Sequence, residues 1–150
     1  MVGREELIEM SIIIEQGAWD RFEKPGYPED ITTGGMGPCT GVIVFNRDTG
    51  VTYGTHLPAP HTHEADVLAE MLGNAADEFS DSSSVDICIS GCCENLPLPD
   101  YNPSEIRSYV EGEVREAFPH GANINVCWPE AGTTSISMTL DPETGNFYFD

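Results

Sequence analysis

Thr33-Gly34-Gly35-Met36-Gly37-Pro38-Cys39, the apolar run Thr40-Gly41-Val42-Ile43-Val44-Phe45-Asn46, the polar Arg47-Asp48-Thr49-Gly50 and the returning Val51-Thr52-Tyr53-Gly54-Thr55-His56-Leu57-Pro58 decide how this chain folds. A β-branched and aromatic run, a turn of Asp, Thr and Gly, and a second β-type run predict an antiparallel hairpin of strands Thr40 to Asn46 and Val51 to Leu57. Pairing Asn46 with Val51 across the turn places Gly41 opposite His56 and Cys39 opposite Pro58. Cys39 and His56 are then diagonal neighbours on one face, roughly 7–8 Å apart at the backbone and within side-chain reach. A slip of one residue would throw them onto opposite faces.

That pairing brings together the two side chains thiolate chemistry needs. An imidazole beside a thiol lowers its pKa and carries its proton. Gly35, Gly37 and Thr40 flank Cys39 as a candidate oxyanion and substrate loop, because glycine lets backbone approach a ligand and aim N–H groups at it. Pro38 has no N–H to give. The Thr33 hydroxyl is placed to orient His56.

The remaining chain reads as follows. Leu7 to Ile14 is a first strand, and residues 16 to 38 are irregular, punctuated by Pro25, Gly26, Pro28, Gly34, Gly35, Gly37 and Pro38. Glu64 to Phe79 is a helix with Val67, Leu68, Met71, Leu72, Ala75 and Phe79 on one stripe. Val85 to Ile89 is a buried strand. Pro103 to Phe118 is a second helix, capped by Asn102, with Ile106, Tyr109, Val110 and Val114 inward. Asn123 to Trp128, Ser135 to Leu140 and Phe147 to Phe149 are strands, with a turn at Asp141-Pro142-Glu143-Thr144-Gly145. No regular βα alternation and no G-x-G-x-x-G after a strand occurs, which excludes a dinucleotide-binding fold. The expectation is a single α+β domain over residues 1–150.

Composition narrows the classes further. The chain has 150 residues, 26 acidic against 6 basic, a formal charge of −20. Lys24 is the sole lysine. Such a surface repels nucleic acid and anionic lipid. It serves solubility or high-salt adaptation, or it steers a basic partner. No apolar run approaches membrane-spanning length, so no membrane insertion is expected. The acidic start Met1-Val2-Gly3-Arg4-Glu5-Glu6 does not read as a secretory signal. Cys39, Cys88, Cys92, Cys93 and Cys127 are an odd number, and we read them as reduced thiols in a cytoplasmic protein.

Thr33-x-Gly35-x-Gly37-x-Cys39, an apolar strand, and His56 followed by a proline resemble CheD, the chemotaxis-receptor glutamine deamidase, which is related to the cytotoxic necrotizing factor toxins. Threonine six residues before the cysteine, glycines four and two before it, and histidine 17 after it fall into that family's pattern. The closing Ala131-Gly132-Thr133 and Leu140 to Gly145 are similar to its last hairpin. The chain departs from the pattern at Pro38, where the family usually has serine, and in lacking its glycine-rich segment near position 91 and an arginine near Ile136. The resemblance implies a β-sandwich-like core flanked by two helices. It implies a hydrolase in which Cys39 attacks a protein glutamine, His56 moves protons and Thr33 orients His56, with no cofactor. The substrate would be a chemoreceptor-like or other protein.

Other groupings are weaker. His61, His63 and Glu64 with Cys88, Cys92 and Cys93 match no standard zinc spacing. Asp81, Asp86, Glu94, Glu105, Glu111, Glu113 and Glu116 read as a solvated face. Ser82-Ser83-Ser84 is a turn rather than a nucleophile elbow. Trp19 and Trp128 read as packing. The alternatives to a protein deamidase are a catalytically inactive binding module and a cysteine–histidine amidohydrolase acting on a small amide.

Overall fold

The computed structural model describes residues 12–14, 16–23, 30–58 and 64–150. In chain order its elements are β1 (Ile12–Ile13), β2 (Trp19–Phe22), β3 (Ile31–Met36), β4 (Thr40–Asn46), β5 (Thr52–Leu57), α1 (Glu64–Glu78), a 3₁₀ turn (Ser82–Ser84), β6 (Val85–Gly91), α2 (Pro103–Ala117), β7 (Asn123–Val126), β8 (Ile136–Asp141) and β9 (Asn146–Phe149). The strands form two mixed sheets, one ordered β2-β5-β4-β6-β7 and the other β1-β3-β8-β9. The protein is therefore α+β, with two α-helices and mixed sheets among the described residues.

The hairpin has the register expected from its turn. Phe45 pairs with Thr52 and Gly41 with His56. The Asn46 N–H donates to the Val51 carbonyl (2.9 Å), and Asn46 Oδ1 accepts from Asp48 N (2.9 Å) and Thr49 N (3.2 Å). Gly50 closes the turn at φ +77°, which a residue with a Cβ adopts at a cost. A side chain that bonds its own turn fixes the loop length, and loop length fixes register.

Strand alternation then sorts side chains into two cores. Val42, Val44, Tyr53, Ile87 and Ile89 point to one side of the five-stranded sheet. There they meet Leu68, Met71, Leu72 and Ala75 of α1 and Val110 and Val114 of α2. Ile43, Phe45 and Cys88 point to the other side and meet Ile31, Met36, Met138 and Leu140 of the four-stranded sheet. The result is three layers: helices, five strands, four strands. At the α1 end, Glu78 accepts from the Arg21 guanidinium (2.8 and 2.6 Å) and from the Tyr53 hydroxyl, tying β2, β5 and the helix together. Asn102 caps α2 by accepting from Glu105 N (3.2 Å).

Three expectations change. Residues 16 to 38 are not irregular throughout, since they contain β2 and β3. Their prolines and glycines hide the strands because Pro25, Gly26 and Pro28 fall between them, outside the described residues, while Gly34 and Gly35 interrupt the alternation of β3. Tyr109 faces outward at 40% exposure. A helix stripe through Ile106, Val110 and Val114 leaves position 109 on its flank. Of the first strand, Ile12–Ile13 is observed, paired in parallel with β3 through Ile31 and Thr32, and residues 7–11 lie outside the described residues. Among the described residues, no helix is long and apolar enough to cross a membrane.

Candidate active site

β3 lies in one sheet and β4 in the other, and the corner Gly37-Pro38-Cys39 joins them. The three residues singled out for catalysis therefore come from two layers. Thr33 projects from β3, and His56 from β5 shares the inter-sheet face with Gly41 and Cys39. The Thr33 hydroxyl lies 3.0 Å from His56 Nδ1, both groups being buried. Cys39 immediately precedes the β4–β5 ladder, in which Thr40 pairs with Leu57 and Gly41 with His56. Burial holds His56 below the usual histidine range. Cys39 sits at the rim of the inter-sheet core with 8% exposure, where Met36 and Ile43 have none.

Two features of local sequence build this contact. The first is a bulge. Thr33 pairs with Met138, but Met36 pairs with Ile136, so three steps on β3 match two on β8. Gly35 takes φ +64° there, and its N–H donates to Ser137 Oγ (3.2 Å). The extra residue switches the alternation, so that Thr33 and Met36 both point inward. The second is Gly41. A Cβ there would lie 2.7 Å from both Thr33 Cγ2 and Met36 Sδ. The missing side chain is the space in which the threonine approaches the imidazole.

The proposed oxyanion loop divides on inspection. Gly37 lies two residues before Cys39, with its carbonyl accepting from Cys93 N (2.8 Å). Gly35 stands in the bulge, where its N–H is given to Ser137 Oγ. Thr40 is the first residue of β4. Its side chain follows Val42 and Val44 to the helix-facing side of the sheet, away from Cys39, and its buried Oγ1 has no partner among the described residues.

Sequence reasoning missed the support behind Cys39. Cys92 N donates to the Cys39 carbonyl (2.7 Å), and the Cys93 thiol reaches the Met36 carbonyl (3.5 Å). Gly91 stands opposite Thr40 at φ +93°, where a Cβ would collide with the Cys39 carbonyl oxygen. Arg107 and Tyr101 fix this segment in turn. Arg107 donates to the Cys92 carbonyl (2.7 Å) and covers the Trp128 ring at 5.1 Å, and the Tyr101 hydroxyl donates to the Cys93 carbonyl (2.5 Å). The one signal in the sequence was a glycine ending a buried strand next to two cysteines.

None of the five cysteines is in a disulfide. Cys88 lies on the same inter-sheet layer as Cys39, and burial with the Cys127 thiol close by pushes it up. No group of three or more His, Cys, Asp or Glu among the described residues could hold a metal. His61 and His63 lie outside them, while Cys92 and Cys93 turn to backbone carbonyls. Trp19 packs against Tyr53 with ring centroids 5.8 Å apart.

No protein-family model matches the chain, and no curated protein matches it. Among solved structures, it is similar to one described as the crystal structure of Bacillus licheniformis hypothetical protein YfiH, with 10% identity and a TM-score of 0.46 over 73% of this chain and 50% of that one. The chain thus spans about half the length of that protein.

Proposed function

We propose that this protein is a cysteine–histidine amidohydrolase that converts a glutamine side chain on another protein to glutamate, as the sequence resemblance to CheD implies. The observation that carries the reading is the Thr33–His56 hydrogen bond of 3.0 Å. It immobilises the ring through Nδ1 on the face that Cys39 shares. A purely packing cysteine and histidine need no such third group, whereas nucleophile, base and orienting residue form the recurring arrangement of acyl transfer.

Cys39 loses its proton to His56 Nε2, and the thiolate attacks the glutamine amide carbon. Backbone N–H groups of the Gly37 to Cys39 corner hold the tetrahedral oxyanion, with Pro38 contributing none. As the carbon–nitrogen bond breaks, His56 returns its proton to the departing ammonia. A water molecule, deprotonated by His56, then cleaves the thioester and releases glutamate. No cofactor takes part. The chemistry requires Cys39 to remain a thiol, which fits a reducing compartment. A substrate with a basic surface, chemoreceptor-like or otherwise, suits the charge of −20.

Incubation with a glutamine-rich protein, with ammonia and glutamine-to-glutamate conversion measured, tests the reading. Conversion that disappears in Cys39→Ala supports it. Ammonia from free glutamine but not from protein transfers the assignment to a small-amide hydrolase. A Cys39 that alkylates no faster than the other cysteines, with no ammonia from either substrate, leaves the binding-module reading.

A further inference from the structure

Among the described residues, Thr33 Oγ1 has two hydrogen-bond neighbours, His56 Nδ1 at 3.0 Å and Met36 Sδ at 3.6 Å. The hydroxyl has one proton. A thioether sulfur has none, so it can only accept. A neutral His56 with its hydrogen on Nε2 can take the hydroxyl proton at Nδ1, but the tautomer that can receive the Cys39 proton has its hydrogen on Nδ1 and donates it to Thr33 Oγ1. Once Cys39 has given its proton to Nε2, both ring nitrogens carry hydrogen, and Nδ1 can only donate. Thr33 Oγ1 must then accept, and its own proton must turn elsewhere. Thr33 has no exposed surface. A hydroxyl proton turned into that space without an acceptor would be a buried unsatisfied donor.

We propose that Met36 is a positioning residue whose sulfur holds the Thr33 proton whenever His56 Nδ1 donates to that hydroxyl, in the tautomer that accepts the Cys39 proton and in the imidazolium that results, and so raises the fraction of Cys39 present as thiolate at neutral pH. The bulge at Gly34 and Gly35 turns Met36 inward, and the absence of a Cβ at Gly41 leaves room for its sulfur. Leucine would fill the same volume with no lone pair. The surrounding elements supply no competing charge among the described residues. Gly41 of β4, Met138 of β8 and Gly91 of β6 are the other groups packed here. The titratable neighbours are Cys39 itself and Cys93 behind the loop, whose thiol is pushed up by burial. A cation in so dry a place depends on each of its N–H groups finding an acceptor.

The inference rests on the amidohydrolase reading only in taking Cys39 as the proton source, and its test reads the thiol rather than turnover. The rate of iodoacetamide modification at Cys39 is measured by peptide mass spectrometry across pH in the wild type, Met36→Leu, Thr33→Val and the double variant. Met36→Leu is expected to react about threefold to tenfold more slowly near pH 7 and at the wild-type rate near pH 10, where the thiolate forms without help. In the Thr33→Val background, adding Met36→Leu is expected to change nothing, because the sulfur acts through the hydroxyl. Wild-type behaviour of Met36→Leu near pH 7, an equal loss at both pH values, or an undiminished effect in the double variant overturns the proposal. Should Met36→Leu fail to fold, norleucine in place of methionine replaces the sulfur by a methylene and is judged by the same two pH values. If wild-type Cys39 shows no enhanced reactivity near pH 7, the amidohydrolase reading falls with the proposal. If it does and Met36→Leu matches it, only the proposal falls.

Discussion

The two faces of the five-stranded sheet are built to opposite rules. Towards the helices, Val42, Val44, Val85, Ile87 and Ile89 present a continuous aliphatic surface, all with exposures of zero. Towards the second sheet, the same strands present Gly41, Gly54, His56, Cys88, Ser90 and Asp86 among only two large apolar side chains, Ile43 and Phe45. One face closes ordinary hydrophobic contacts. The other accepts groups that are costly to bury and gives each a specific partner: Thr33 for His56, Arg47 for Asp86, and the Cys127 carbonyl for Ser90. Stability concentrated on one side of a strand leaves the other side free for chemistry, since successive residues point in opposite directions.

Substitutions on the two faces should separate the proposed activity from stability, and the largest effect is expected at Cys39, the proposed nucleophile. Cys39→Ala should reduce ammonia release on the order of 10³-fold or more while leaving thermal unfolding nearly unchanged. His56→Ala should cost about 10²–10⁴-fold in the same assay and remove the selective alkylation of Cys39. A His56→Ala protein that still alkylates selectively would break the comparison at its centre. Gly41→Ala adds one methyl group where Thr33 and Met36 stand, and is expected to lower Cys39 reactivity near neutral pH by about a hundredfold. Ile87→Val, on the helix-facing side of the same sheet, should cost about 1 kcal/mol in denaturant unfolding without altering Cys39 reactivity.

The smallest effect is a pH dependence. Burial lowers the pKa of folded His56, so the unfolded chain binds more protons here than the folded one once the pH falls below the ordinary value of about 6.5. Its contribution to stability is complete above that value and is lost as pH falls towards the folded value. Denaturant midpoints measured from pH 8 down to about pH 5.5 should decline less steeply in His56→Gln than in the wild type. An identical slope would show that His56 is as well solvated folded as unfolded. Glu78, held below the usual carboxylate range chiefly by its hydrogen bond to Arg21, acts at lower pH and does not overlap that window.

The hairpin was legible because its determinants are local. Asn46 and Gly50 set the turn, the turn sets the register, and the register aligns His56 with Gly41. Both long helices were legible from their apolar stripes and, for α2, its cap. β3 was hidden by its own bulge, since a run of Thr33, Gly34, Gly35 and Met36 shows no period of two until the extra residue is allowed for. The reason for Gly41 was hidden because it lies in the other sheet, on residues that reach it only after both layers have packed. The support from Cys92, Cys93, Tyr101 and Arg107 was hidden for the same reason. It consists of backbone carbonyls meeting donors 8 to 57 positions away in sequence, and no pattern of residue types records such meetings.

The corner at Gly37-Pro38-Cys39 has a consequence for how this chain can vary. It is the covalent passage between β3, which carries Thr33, and β4, which follows Cys39. Lengthening the turn at Arg47 to Gly50 would disturb the contacts of Arg47 with Asp86 and of Asp48 with Ser84, at the end of the hairpin away from Cys39 and His56. A single inserted residue at the corner would move the sulfur along its strand or pull the threonine off the ring. Relatives with the same chemistry should therefore keep the length of this corner.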